Sequence, residues 1–150
     1  MVGVGGSGRQ SLTRLAAKIA AMKTESIELS KAYDMNCWHE DIKKVLRMTG
    51  GQKKPSVFLF SDVQIKFQSM VEDLNNLLNN SEVPNLWLPE EKAEILEFAR
   101  TNSKENNLVL DKPDQLLSYF VEITKKNLHM VICFSPIGSS FRNNIRMFPS

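Results

Sequence analysis

The chain has 150 residues, 42% of them hydrophobic and 24% charged, with 19 Lys plus Arg against 17 Asp plus Glu. This is the composition of one ordinary globular domain and excludes a disordered chain. A net charge of +2 without a basic stripe gives no footprint for nucleic acid, and no apolar run approaches the roughly 18 residues that a membrane helix needs, so neither is an expected partner.

In chain order the first feature is Gly3-Val4-Gly5-Gly6-Ser7-Gly8-Arg9-Gln10-Ser11, a glycine-rich loop leading into a helix. Glycine tolerates positive φ and has no side chain, so such a loop can turn backbone N–H groups inward onto an anion. The helix that follows has Leu12, Leu15, Ala16 and Ile19 at helical spacing, expected to form one buried stripe. Its N-terminus would face the loop, where free N–H groups and the helix dipole favour phosphate. Against the pattern G-x-x-x-x-G-K-[ST], Gly3 and Gly8 fall in place, Arg9 takes the lysine position and Gln10 the hydroxyl position. Arginine keeps the charge but is bulkier than lysine. Glutamine has no hydroxyl for Mg²⁺, and Ser11 lies one step along the helix, turned by about 100°. Two blander readings are an exposed glycine linker and, because residues 1–23 contain Arg9, Arg14, Lys18 and Lys23 but no acid, a mitochondrial presequence. A presequence has no need of closely set glycines.

Next, Ser26-Ile27-Glu28-Leu29-Ser30 alternates as an edge strand would, and a second helix carries Trp38, Ile42, Val45 and Leu46 on one face before Gly50-Gly51 stops it. Ser56-Val57-Phe58-Leu59-Phe60-Ser61-Asp62 is a continuous apolar run ending in an acid. It suits a strand covered on both faces in a parallel sheet between helices. Ligands of open α/β sheets bind beyond the carboxyl ends of the strands, so Asp62 stands where an aspartate would hold Mg²⁺ through water; the simpler reading is an Asp that ends a strand. The next residue is Val63, which cannot act as a general base. Gln64, Glu72 and Asp73 are displaced from the strand end.

A third helix is signalled by Met70, Val71, Leu74, Leu77 and Leu78, and a fourth starts at Pro89-Glu90-Glu91 and buries Ile95, Phe98 and Ala99. Asn102 to Asn107 reads as exposed, and a fifth helix runs from an Asp111 cap through Leu116, Phe120 and Ile123 to Asn127. Leu128 to Phe134 is a second buried strand, which places Ser135 at its end, either as a probe of a γ-phosphate or as the start of a turn before Pro136. Arg142 and Arg146 follow, placed to reach a neighbouring subunit's nucleotide or to serve as surface charge. Cys37, Cys133, His39 and His129 are unclustered, which indicates reduced thiols and structural histidines rather than a zinc site.

The glycine loop with its Arg-Gln-Ser ending, Phe58 to Asp62, Leu74-Asn75-Asn76-Leu77-Leu78-Asn79 with Glu82-Val83-Pro84-Asn85-Leu86, and Ser135 to Ser150 together resemble the fourth AAA+ module of axonemal dynein heavy chains. The likeness covers nearly all of residues 1–150 and extends to the odd features, Arg9-Gln10 and Val63 in place of the glutamate of hydrolytic modules. It implies a three-layer P-loop NTPase fold and a nucleotide site made by Gly3, Gly5, Gly6, Ser7, Gly8, Arg9, Gln10 and Ser11. Asp62 would hold Mg²⁺ through water, Ser135 would be the sensor, and Arg142 or Arg146 an arginine finger acting on the adjoining module. ATP or ADP would bind in a regulatory way, with little or no hydrolysis; the alternative is a structural ring spacer that has lost nucleotide. A small P-loop kinase would need an acceptor pocket and a conventional lysine.

The partners implied are the neighbouring AAA+ modules of the same heavy chain and, through the parent protein, dynein intermediate and light chains and microtubules. The implied location is the cytoplasm and cytoskeleton, in the axoneme of a cilium or flagellum. A P-loop is preceded by a strand, yet only Met1 and Val2 stand before Gly3. The sensor strand is therefore expected to have an unpaired edge, with no last strand or helical lid, and the chain to be marginal or self-associating.

Overall fold

The structure, a computed structural model, describes residues 1–136. In chain order it comprises α1 (Arg9–Ile19), β1 (Lys23–Glu25), α2 (Met35–Leu46) prolonged by a π-turn (Arg47–Gly51), and β2 (Ser56–Ser61) followed by a 3-10 turn (Asp62–Gln64). Then come α3 (Gln68–Asn80), α4 (Pro89–Glu105), α5 (Pro113–Asn127) and β3 (Leu128–Cys133). The strands form one parallel sheet in the order β1-β2-β3.

Every residue of the central strand β2 is buried, which is why it reads as an unbroken apolar run. Alternate side chains leave its two faces. Phe58 and Phe60 enter the main core with Trp38 of α2, at ring-centroid distances of 6.3 and 5.6 Å, and with Met70, Leu74, Ile95, Leu116 and Phe120 from α3, α4 and α5. Val57 looks the other way, towards Thr13, Ala16 and Ala17 of α1. The result is an α/β arrangement with helices on both faces of a parallel sheet.

Helix α1 departs from its expected packing. Thr13 and Ala17 are its buried residues, while Leu12 is 58%, Leu15 55% and Ile19 78% exposed, and Ala16 is exposed too. Periodicity finds an apolar face but does not say what covers it; here the helix approaches the sheet through its small residues. The expected edge of the sheet is also different. Val2 pairs parallel with Phe134, and the Gly3 and Phe134 amides donate to Phe134 O and Met1 O at 3.1 and 2.9 Å. The charged amino group of Met1 donates to Ile132 O at 2.7 Å. Even so short a segment therefore occupies the side of β3 that was expected to be unpaired.

Three further boundaries shift. The first strand is Lys23–Glu25 rather than residues 26–30; Ile27 is buried in coil, where its carbonyl accepts from Gln64 Nε2 at 2.7 Å. Asn102 and Ser103 are buried inside α4, where Asn102 Nδ2 donates to the carbonyls of Gly50 and Gly51 that the π-turn leaves at the end of α2. Helix α5 has Lys112, not Asp111, at its cap position.

Candidate functional site

The glycine loop bends by local chemistry. The Ser7 amide donates to Val4 O at 3.1 Å, and Gly6 and Gly8 take φ of 78° and 76°, the left-handed region in which glycine has no steric cost. Gly8 is the cap residue of α1; Leu12 N–H donates to its carbonyl at 2.7 Å, and no side chain caps the helix. The amides from Gly8 to Ser11 are thus the orphan donors of a helix N-terminus, with no acidic residue in the first turn to use them.

These amides open into a cleft of about 370 Å³ lined by Gly5, Gly6, Ser7, Gly8, Arg9, Gln10 and Ser11 on one side and by Ser61, Asp62, Val63 and Ser135 on the other. The two walls come from elements far apart in sequence. Parallel registry of Ser61 with Cys133 brings the carboxyl ends of β2 and β3 side by side, and Ser135 N–H donates to Asp62 Oδ2 at 2.7 Å. The other carboxylate oxygen, Oδ1, accepts from Val63 N–H at 3.0 Å. Arg9 closes the back of the cleft: Nη1 donates to Phe134 O, and Nη2 lies 3.4 Å from both Val4 O and Ser135 Oγ. Arg9 and Asp62 are the charged residues of the lining.

Of the residues singled out in sequence, Gly5 to Ser11, Asp62 and Ser135 therefore meet. Gly3 does not line the cleft; it stands behind the loop with its amide on Phe134. Arg142 and Arg146 lie outside the described residues. Val63 lines the rim and is 78% exposed, so its position next to Asp62 is open to the cleft while its side chain offers no base.

The displaced polar residues are tied elsewhere. Gln64 Oε1 accepts from Ser61 N–H at 2.8 Å, and Asp73 Oδ2 accepts from Trp38 Nε1 at 2.9 Å and meets His39 Nε2 at 3.2 Å. Neither is placed to activate a water in the cleft. Ser61, which lines the cleft, was missed as a site residue; the signal was present as Ser-x-x-Gln, a capping pattern at the strand end.

Mg²⁺ in a nucleotide site fills its octahedral shell mostly with water and phosphate oxygens and takes one or two donors from the protein. Gln10 stands at the hydroxyl position, Asp62 accepts backbone N–H bonds on both oxygens, and no second acid lines the cleft. Among the described residues, no group of three His, Cys, Asp or Glu side chains is placed to hold a metal. With Gln10 in place of the hydroxyl, these residues lack one of the two protein donors of a usual P-loop metal centre.

A glycine loop and an uncapped helix N-terminus, facing the carboxyl ends of two parallel strands, have the geometry of a P-loop site. Residues 1–150 match the family described as P-loop containing dynein motor region D4, and the chain belongs to that family. It is 45% identical over 150 residues to dynein axonemal heavy chain 6 of Homo sapiens, covering all of this chain and 4% of that protein. It is 46% identical to dynein axonemal heavy chain 1 of Rattus norvegicus, again over the whole chain and 3% of the relative. The dynein-1-beta heavy chain of the flagellar inner arm I1 complex of Chlamydomonas reinhardtii is 43% identical over 99% of this chain and 3% of its own length. The chain thus spans only a few per cent of the relatives it matches.

Proposed function

We propose that residues 1–150 are the partial large subdomain, from the P-loop to the arginine-finger region, of a nucleotide-binding AAA+ module of an axonemal dynein heavy chain, part of an ATP-driven microtubule motor of cilia and flagella. It holds ATP or ADP in a regulatory way and hydrolyses little or none itself. The observation that carries this reading is the convergence in one cleft of the uncapped N-terminus of α1 with Asp62 and Ser135 at the ends of β2 and β3. The polyphosphate lies on the amides of Gly5 to Ser11, and Ser135 faces its outer end. Hydrolysis lacks a base, since Val63 supplies none and Gln64 and Asp73 are held elsewhere.

In this reading the partners are neighbouring AAA+ modules of the same heavy chain, with Arg142 or Arg146 directed to the adjoining module's nucleotide. Intermediate and light chains and microtubules are engaged through the parent protein, in the axoneme. A structural spacer is the second reading, favoured by one observation: Arg9 already bridges α1 to Phe134, the residue after β3. Titration with fluorescent ADP and ATP separates the two. Saturable binding that is lost in Gly8→Val, a residue unsuited to φ of 76°, supports the nucleotide module. No binding by the folded wild type supports the spacer.

A further inference from the structure

Resting on the nucleotide reading, we infer that this cleft takes its nucleotide without a divalent cation, the fixed charge of Arg9 standing where the metal would otherwise act. In P-loop sites the metal is held by a hydroxyl at the helix start and by an acid at the strand end, and it offsets phosphate charge. Here the first donor is replaced by Gln10, whose amide is longer and projects from a helix position built for a short hydroxyl. The second, Asp62, is engaged as a clamp between strands: one oxygen accepts from Ser135 N–H at 2.7 Å and the other from Val63 N–H at 3.0 Å. A metal's water shell reaching Asp62 would have to share oxygens that already accept from Ser135 and Val63.

What the cleft does contain is an arginine with neutral partners. The contacts of Arg9 are the carbonyls of Phe134 and Val4 and the hydroxyl of Ser135, and no acid pairs with it among the described residues. A guanidinium has more N–H donors than these acceptors use, so it can stay tied to β3 and still donate to a phosphate oxygen. Its charge is permanent and needs no cofactor. Amides and Arg9 together then supply what a P-loop lysine and its metal supply jointly.

The test uses the intact heavy chain that carries this segment, equilibrated with ADP and Mn²⁺ as an anomalous scatterer and spectroscopic stand-in for Mg²⁺, and its structure determined. The expected result is nucleotide in this cleft with Arg9 on a phosphate and no cation between the phosphates and Asp62 or Gln10. A Mn²⁺ ion bridging either residue to the nucleotide overturns the inference and leaves the nucleotide reading standing. An empty cleft at saturating ADP overturns both. In solution, fluorescent ADP binding to the 150-residue chain should change less than about threefold between Mg²⁺ and EDTA; a loss of tenfold or more in EDTA counts against it. Gln10→Thr, which restores the short hydroxyl, should create a Mg²⁺ dependence that the wild type lacks.

Discussion

Val63 and Gln10 line one cleft, so in the proposed reading restoring a base and restoring a hydroxyl are expected to act together rather than additively. Because Val63 is exposed at the cleft rim, Val63→Glu costs the fold almost nothing and introduces a carboxylate beside Asp62. If the cleft does not seat a metal, that base has no activated phosphate to work on. Val63→Glu alone is expected to leave phosphate release at background, while Val63→Glu with Gln10→Thr raises it by roughly a hundredfold, the usual scale of general-base catalysis. A phosphate-release assay on the paired variants checks this.

Gly50 makes a different residue-scale statement. A Cβ there would meet the Phe120 ring at 2.6 Å and would run into the Thr124 hydroxyl, so the end of α2 touches α5 backbone to side chain. Gly50→Ala is expected to destabilise by about 3 kcal/mol, the upper range for overpacking, with an unchanged urea m-value and a lower midpoint.

Among elements, α2 and α4 are joined by charge. Glu91, in the first turn of α4, receives Lys43 Nζ at 2.8 Å, Arg47 Nη2 at 3.0 Å and the Leu88 amide at 2.9 Å, and Arg47 also lies 5.3 Å from the Trp87 ring centroid. Burial alone would raise the Glu91 carboxyl, but the hydrogen bonds from Lys43, Leu88 and Arg47 outweigh it and hold its pKa at about 2, against an ordinary 4.5. Lys43 is pulled down by burial and raised more strongly by Glu91 and Glu40, for a net shift above its ordinary 10.5. A carboxyl with a depressed folded pKa contributes in full above its unfolded value. The Glu91 share of stability should therefore be complete above about pH 4.5 and disappear as the pH falls through about 2. The Lys43 share is complete below 10.5 and is lost only as the pH rises through its higher folded value. Glu91→Gln should cost about 2 kcal/mol at neutral pH by leaving Lys43 underpaired in a half-dry site, and should flatten the acid limb of a stability-against-pH profile.

The legible elements were those whose own pattern forces burial. The run Val57 to Phe60 suits a covered strand, and Trp38, Ile42, Val45 and Leu46 fall on one helix face, as the structure has them. The cleft was legible for the same reason: glycine spacing and an acid at a strand end are backbone-level signals. Where partners decide, sequence was silent. Asn102 reads as a surface amide until the carbonyls of Gly50 and Gly51 arrive from another helix. Ile27 reads as one beat of a strand until Gln64 takes its carbonyl. That Arg9 turns to Phe134 follows only from the parallel closure of Val2 on that residue.

On the scale of the whole molecule, the two sides of the sheet are unequally covered by the described residues. The face of Phe58 and Phe60 is sealed by α2 to α5, whereas the opposite face has α1, and an apolar cleft of about 370 Å³ lined by Met1, Leu12, Ala16, Ala20, Val57 and Val131 runs beside it. With Leu12, Leu15 and Ile19 exposed in one stripe, the 150-residue chain is expected to self-associate at micromolar concentration. Leu15→Glu with Ile19→Lys should shift sedimentation towards the monomer while lowering the melting temperature by only a few degrees, since neither side chain is buried.

The slender seat of α1, on Thr13 and Ala17, has one more consequence. The helix that presents the amides is the one whose removal from the sheet exposes least, so it is where amide exchange should be fastest. An occupant of the loop would act as a keystone: by mass action, ligand at about a hundredfold over its Kd adds roughly 2.7 kcal/mol to whatever state binds it. Occupancy would then be read out as rigidity, a site that reports by stiffening rather than by turning over.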